Sequence, residues 1–420
     1  MTRIAMLSVH ACPLARLGGR DSGGMNVYVR ELARELGGRG IDVDVFTRWR
    51  EREDPQIQAL GPNARVIHLV SGPIGYYPKM DVYRRLPEFT ERVLEFARNE
   101  HRRYDLVHSH YWLSAEVADV VRHRWRTPVV QMFHTLGLVK AQAMDDSMNG
   151  EGQVRELAER AAVQTADRIV AASEIEMSDL ITLYDADPAK VRVVPLGVDT
   201  RLFRPLRQAD ARAALGRDAC EFLILFVGRI EQIKGIDVLL EAVGDLLRGR
   251  PDLRRRSCLV VVGGAIDPRA DASESEKIAE LRAMVDAHGI GENVDFVGSL
   301  DQRELALYYS AADVCAVPSL TESFGLVALE AMACGTPVVA TRVGGLQTVV
   351  TSESGVLVPP GDAEALAHAI ESLLDDMELR IQLSAGARAR ALTFTWDRVA
   401  DGVEDVYSEL LTPARAGISK

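Results

Sequence analysis

Short runs rich in Val, Ile and Leu alternate along the chain with longer amphipathic stretches, and this alternation sets the fold class. The first series of apolar runs covers residues 3–9, 42–47, 65–70, 106–109, 128–133, 168–172 and 191–195. Stretches with apolar positions three to four apart lie between them, at 26–36, 88–98, 154–165 and 176–183. Strands alternating with helices predict a parallel sheet covered by helices on both faces. The period then breaks over residues 196–205, where turn residues gather, and a linker is expected there. A second series follows at 222–227, 259–263, 294–297, 314–317, 337–340 and 356–358. Its helices are expected at 237–247, 276–288, 303–311, 327–334, 363–375 and 377–392, with a last one at 396–411. Gly361-Asp362 after Pro359-Pro360 reads as a turn ending in a helix N-cap. Two doubly wound α/β domains follow, 1–202 and 203–395. Ligands of such sheets bind beyond the carboxyl ends of the strands, so the chemistry should sit in loops that follow strands.

Length and composition agree with this. The 420 residues suit two domains of roughly 200 each. An apolar content of 47% is that of a globular chain. The net charge of -12 argues against a nucleic-acid or anionic-membrane partner, while leaving room for a local basic site. Cys12, Cys220, Cys258, Cys315 and Cys334 form no Cys-x-x-Cys pair, and reduced, buried thiols of a cytoplasmic protein are expected. The opening apolar run is too short for a signal peptide, and no stretch reaches the roughly 18 residues a membrane span needs.

Four motifs lie where the chemistry should be. Gly228-Arg229-x4-Lys234-Gly235 follows the run 222–227. Two cations at the end of a buried strand can stabilise the charge growing on a departing diphosphate without a metal. The second motif, Glu322-Ser-Phe-Gly-Leu-Val-Ala-Leu-Glu330, follows the run 314–317. Glu322 is placed in the loop and Glu330 one to two turns into the helix. The backbone N–H groups of Phe324, Gly325 and Leu326 are helix-start donors suited to phosphate or sugar oxygens. A carboxylate such as Glu330 can accept both hydroxyls of a ribose diol. The third motif is Asp21-Ser22-Gly23-Gly24-Met25-Asn26-Val27-Tyr28, whose paired glycines permit close backbone approach to a ligand. It is not Gly-x-Gly-x-x-Gly, which argues against a nicotinamide oxidoreductase. The fourth is His134-Thr135-Leu136-Gly137 after the run 128–133, with His108-Ser109-His110-Tyr111 ending the run before it. No further ligand cluster accompanies the two histidines, so a metal site is not expected.

Taken together, these motifs resemble the GT-B retaining glycosyltransferases of family 4 over essentially the whole chain. The resemblance implies two Rossmann-like domains facing across a cleft, retention at the anomeric carbon, no obligatory metal, and a closing motion. It also implies that the last helix, within 396–420, packs back on the N-terminal domain. The donor residues it implies are His10, Gly24, Arg229, Lys234, Glu322 and Glu330; the N–H groups of Phe324, Gly325 and Leu326 are expected to join them, and His134, Arg229, Lys234 and Glu322 are expected to be catalytic. A family Arg near uracil falls at Leu300, leaving the base to backbone contacts. Within the family the chain is similar to the branch that moves N-acetylglucosamine from a UDP-sugar onto inositol 3-phosphate. That branch implies an acceptor phosphate held by Lys79, Tyr111, Thr135 and Arg155, and a polyol ring held by Asn26. Arg155 and the run Ala158-Glu159-Arg160 are equally similar to sucrose-phosphate synthases, which glucosylate fructose 6-phosphate. A non-catalytic sugar-nucleotide sensor is the alternative of another class. Oligomeric state is left open, a homodimer included.

Overall fold

A computed structural model describes residues 1–15, 23–144, 150–264 and 272–411. Asp21 and Ser22 of the glycine-pair motif lie outside the described residues. Contacts along the chain divide it into two compact units. One holds Met1–Ala15, Gly24–Pro195 and the helix Trp396–Leu411, and the other holds the segment from Leu196 to Thr395. The division falls between Pro195 and Leu196, not at the expected 202/203. The segment between belongs to the second unit because the Val198 amide donates to the Phe394 carbonyl at 3.0 Å and Val198 bridges to Thr395.

The first unit is built on eight strands: β1 (Arg3–Leu7), β2 (Asp42–Arg48), β3 (Ile57–Gly61), β4 (Ala64–Leu69), β5 (Leu106–His110), β6 (Val129–Met132), β7 (Arg168–Ala171) and β8 (Val191–Val193). Their order is β3-β4-β2-β1-β5-β6-β7-β8, all parallel except β3, which runs antiparallel to β4. Sequence periodicity missed β3 because it is an edge strand with little burial and no apolar run. Ile4, Ala5, Met6 and Leu7 of β1 are all fully buried, so both faces of the sheet are covered. Strand order reverses between β1 and β5, which puts the loops after those two strands side by side.

The helix Trp396–Leu411 closes this unit. Arg39 at the end of the first helix bonds Asp397, Asp401 and Glu404, and Arg168 and Arg192 both reach Glu409. Tyr407 adds a hydrogen bond to Nδ1 of the buried His108 at 2.7 Å, and Trp396 lies edge-on to Tyr28. Among the described residues no helix is long and apolar enough to cross a membrane.

The second unit has six parallel strands: β9 (Phe222–Val227), β10 (Ser257–Val262), β11 (Val294–Gly298), β12 (Val314–Val317), β13 (Val338–Thr341) and β14 (Gly355–Val358). Their order is β11-β10-β9-β12-β13-β14, with the reversal between β9 and β12. Asp362 caps the helix Ala363–Asp375 by accepting from the backbone of Ala365 at 2.9 Å, as Gly361-Asp362 suggested. The expectation of five reduced thiols needs correction. Cys220 and Cys258 form a disulfide, with Cα atoms 5.9 Å apart. Parallel pairing of β9 with β10 sets Cys258 beside Leu223, close to Cys220, although the two are 38 residues apart. Cys12, Cys315 and Cys334 are free and buried.

One buried acid gives the first unit a pH dependence. Glu176 is 6% exposed, accepts from the backbone of Ala172 at 2.6 Å, and has no cation beside it among the described residues. Burial pushes its carboxyl up to about 7 from an ordinary 4.5. The folded chain thus keeps a proton that the unfolded chain releases, and stability falls as pH rises from 4.5 through 7. Glu176→Gln should reduce the stability difference between pH 5 and pH 8 by roughly 2–3 kcal/mol, read from urea midpoints. An unaltered pH dependence would mean that the carboxyl is ionised when folded.

Candidate active site

In the first unit, five sequence-predicted residues meet at the switch between β1 and β5. The His10 ring lies against Tyr111, tilted by 35°, with centroids 4.5 Å apart. Lys79, the first residue of the helix Lys79–Tyr83, holds its Nζ 5.9 Å from the Tyr111 ring centre. Arg155 approaches the same ring at 5.0 Å, donates to the Thr135 carbonyl at 2.7 Å and to its hydroxyl at 3.0 Å, and is 8% exposed. Glu159, one turn along, orients it through a 2.7 Å ion pair. Glu159 is itself held by Tyr184 at 2.5 Å and the backbone of Gly137 at 2.9 Å. Burial disfavours a charged Arg155, but the neighbouring Tyr111 and Glu159 outweigh it and raise its pKa. Burial first, then Lys79, Arg50, His134 and Arg155, keep His10 neutral. An anion is the ligand such a cationic cluster suits. Asn26 is buried near it and uses its amide to hold the Cys12 carbonyl at 2.7 Å, while Gly24 opens the first helix on the exposed side.

His134 and Tyr111 share an unusual backbone. Both have positive φ, 63° and 75°, at the ends of β6 and β5. For side chains of this size the conformation costs about 1–3 kcal/mol, so the surrounding packing must enforce it. His134 Nε2 lies 3.1 Å from His110 Nδ1, and Tyr28 stands edge-on to both rings. Burial pushes His134 down to about 3, so its ring is neutral near pH 7.

In the second unit the switch between β9 and β12 joins the two other motifs. Lys234 Nζ meets Glu322 Oε2 at 2.6 Å, 88 residues apart in sequence. Gly235 has φ 66°, and a Cβ there would stand 2.0 Å from the Pro318 carbonyl, so only glycine lets the Lys234 turn lie against the loop after β12. Arg229 pairs with Glu231 at 2.6 Å. Each of these two cations is neutralised by a carboxylate, which an anionic ligand would have to displace or share. Gly325 caps the helix Leu326–Ala333, and the backbone N–H groups of Phe324, Gly325 and Leu326 have no hydrogen-bond partner among the described residues. Glu330 is 7% exposed and oriented by the Tyr309 hydroxyl at 2.9 Å. Leu300 is partly buried just after β11.

Sequence reasoning missed several supports. Glu159 was readable as an i+4 partner of Arg155 on one helix. Arg50, which donates to the His10 carbonyl at 3.4 Å, carried no motif. The loop Val343-Gly344-Gly345 after β13 braces the Glu322 loop: the Gly345 amide donates to the Glu322 carbonyl at 2.9 Å. Gly344 has φ 41° and leaves no room, since its Cβ would sit 1.9 Å from that same carbonyl. Gly344→Ala should therefore shift Glu322 and lower kcat/KM by about tenfold, measured at fixed acceptor. Unchanged kinetics would show that the loop tolerates displacement.

Residues 207–390 match the Glycosyl transferases group 1 family, and residues 22–202 match Glycosyltransferase Family 4. The chain is 43% identical to the D-inositol 3-phosphate glycosyltransferase of Acidothermus cellulolyticus, over all of this chain and 92% of that one. It is 41% identical to the enzyme of that name from Corynebacterium diphtheriae, over 97% and 94%. Among solved structures it is similar to the sucrose-phosphate synthase of Thermosynechococcus elongatus, with a TM-score of 0.88 and 37% identity over 98% and 99% of the two chains. The fold is also that of WaaG, a glycosyltransferase involved in lipopolysaccharide biosynthesis, with a TM-score of 0.72 at 20% identity over 96% and 99%. With both halves matched and relatives this similar along its whole length, the chain belongs to the family 4 glycosyltransferases and is a hexosyltransferase of GT-B fold.

Proposed function

We propose that the protein transfers N-acetylglucosamine, or glucose, from a UDP-sugar to a phosphorylated polyol, 1D-myo-inositol 3-phosphate above others, with retention of configuration. The observation that carries the acceptor class is the convergence of Lys79, Arg155, Thr135 and His10 around Tyr111. A chain of net charge -12 that gathers cations at one strand switch point is equipped for a small anion. The name shared by the curated relatives supports inositol 3-phosphate.

The donor residues suit a diphosphate leaving group. Lys234 and Arg229 neutralise it as the bond to the anomeric carbon breaks, and the N–H groups at 324–326 supply further donors. Glu330, fixed by Tyr309, takes the ribose hydroxyls, and Glu322 takes those of the sugar. The acceptor hydroxyl attacks on the face the diphosphate leaves, and its proton passes to a β-phosphate oxygen. No carboxylate pair flanking the anomeric carbon is needed, in contrast to retaining hydrolases. His134 stabilises the sugar as a neutral partner.

A second reading, glucosyl transfer to fructose 6-phosphate, is favoured by the similarity to the sucrose-phosphate synthase. A product assay crossing UDP-N-acetylglucosamine and UDP-glucose with inositol 1-phosphate, inositol 3-phosphate and fructose 6-phosphate separates the two. Product with inositol 3-phosphate is expected. Product with fructose 6-phosphate alone would shift the conclusion to the second reading, and no product from any phosphorylated acceptor would overturn both.

A further inference from the structure

The segment 70–78 carries the chain from β4 to Lys79, and a side chain of the neighbouring strand grips its middle. Arg48 ends β2, in register with Leu69, the last residue of β4. It is 2% exposed. Its guanidinium donates to the carbonyls of Gly75, of Pro73 at 3.4 Å and of Trp49 at 3.5 Å. It also lies 4.8 Å from the centre of the Tyr77 ring. Arg85 faces the same ring at 5.2 Å, and its carbonyl accepts from Ser71 at 3.0 Å. The segment is thus tied at its start by Ser71 and through its middle by Arg48, immediately before the residue that stands over Tyr111.

For stability alone this is an unfavourable arrangement. No carboxylate pairs with Arg48 among the described residues, and its Nε has no partner there. Burial, with Arg50 and Arg85 nearby, pushes the guanidinium down to about 10. A methionine would fill a similar volume without a buried charge. What methionine cannot do is hold several carbonyls at once in a planar fork, and neither can lysine.

We infer that Arg48 is a positioning residue for the acceptor: it clamps residues 73–77 so that Lys79 is delivered over Tyr111 to meet the acceptor phosphate. The inference rests on the acceptor reading above. It makes Arg48 act through Lys79, which a general structural role would not do.

The test is steady-state kinetics of Arg48→Met, Arg48→Lys, Lys79→Ala and the double variant Arg48→Met/Lys79→Ala. The acceptor is inositol 3-phosphate or fructose 6-phosphate, whichever yields product. Arg48→Met and Arg48→Lys should each raise acceptor KM by about tenfold, with donor KM and acceptor-independent UDP release within about twofold of the parent. The double variant should match Lys79→Ala alone, because the clamp has nothing left to place. Tyr77→Leu, which removes the ring beside the guanidinium, should show the same split and serves if Arg48→Met does not fold. If Lys79→Ala raises acceptor KM while the Arg48 and Tyr77 variants do not, or if the effects add in full, the clamp is wrong and the acceptor reading stands. If Lys79→Ala itself leaves acceptor KM unchanged, both are wrong.

Discussion

Lys234→Ala is expected to lower kcat by about 10²–10³ while changing donor KM by less than about tenfold. The reason is timing. In the ground state the diphosphate is still esterified, and Glu322 already neutralises Lys234 at 2.6 Å, so the ammonium gains little from donor binding alone. As the glycosidic bond breaks, the β-phosphate takes on further charge and competes for the same ammonium. The interaction is then stronger in the transition state than before it, which is the condition for an effect on kcat. Arg229, more exposed and paired with Glu231, should contribute less, since exposed pairs are screened. Turnover within a few-fold of the parent would remove Lys234 from the catalytic role and with it the leaving-group account.

Lys79→Ala is expected to lower kcat/KM for a phosphorylated acceptor by about 10², with donor KM and slow UDP release unchanged. Lys79 tests the phosphate subsite more cleanly than Arg155. Removing Arg155 would also leave Glu159 buried without its cation, at a cost of about 3–5 kcal/mol to folding. Lys79 is partly exposed at a helix start, so its loss should be felt by the ligand and not by the fold. A dephosphorylated acceptor such as free inositol should lose nothing further in this variant. An equal loss with both acceptors would mean that Lys79 does not meet the phosphate.

Much of this protein was legible along the chain. Strand runs such as 222–227 are apolar at every position because parallel strands are buried on both faces, and that pattern survives without knowledge of the neighbours. The motifs at Arg229, Lys234 and Glu322 were legible for a related reason: a loop that leaves a buried strand must change composition abruptly, and the change marks the strand end. What the chain could not disclose is anything that depends on strand order. The order β1-β5 in one sheet and β9-β12 in the other brings His10 to Tyr111 and Lys234 to Glu322 across long stretches of sequence. The Cys220–Cys258 bond, the packing of Gly344 on the Glu322 carbonyl, and the grip of Arg48 on its neighbouring loop are of the same kind. Local composition determined which segments become strands, which loops carry charge, and which residues can do chemistry. The pairing of distant segments, decided by side-chain packing between elements, determined which of those residues meet and which charges reach a ligand already neutralised.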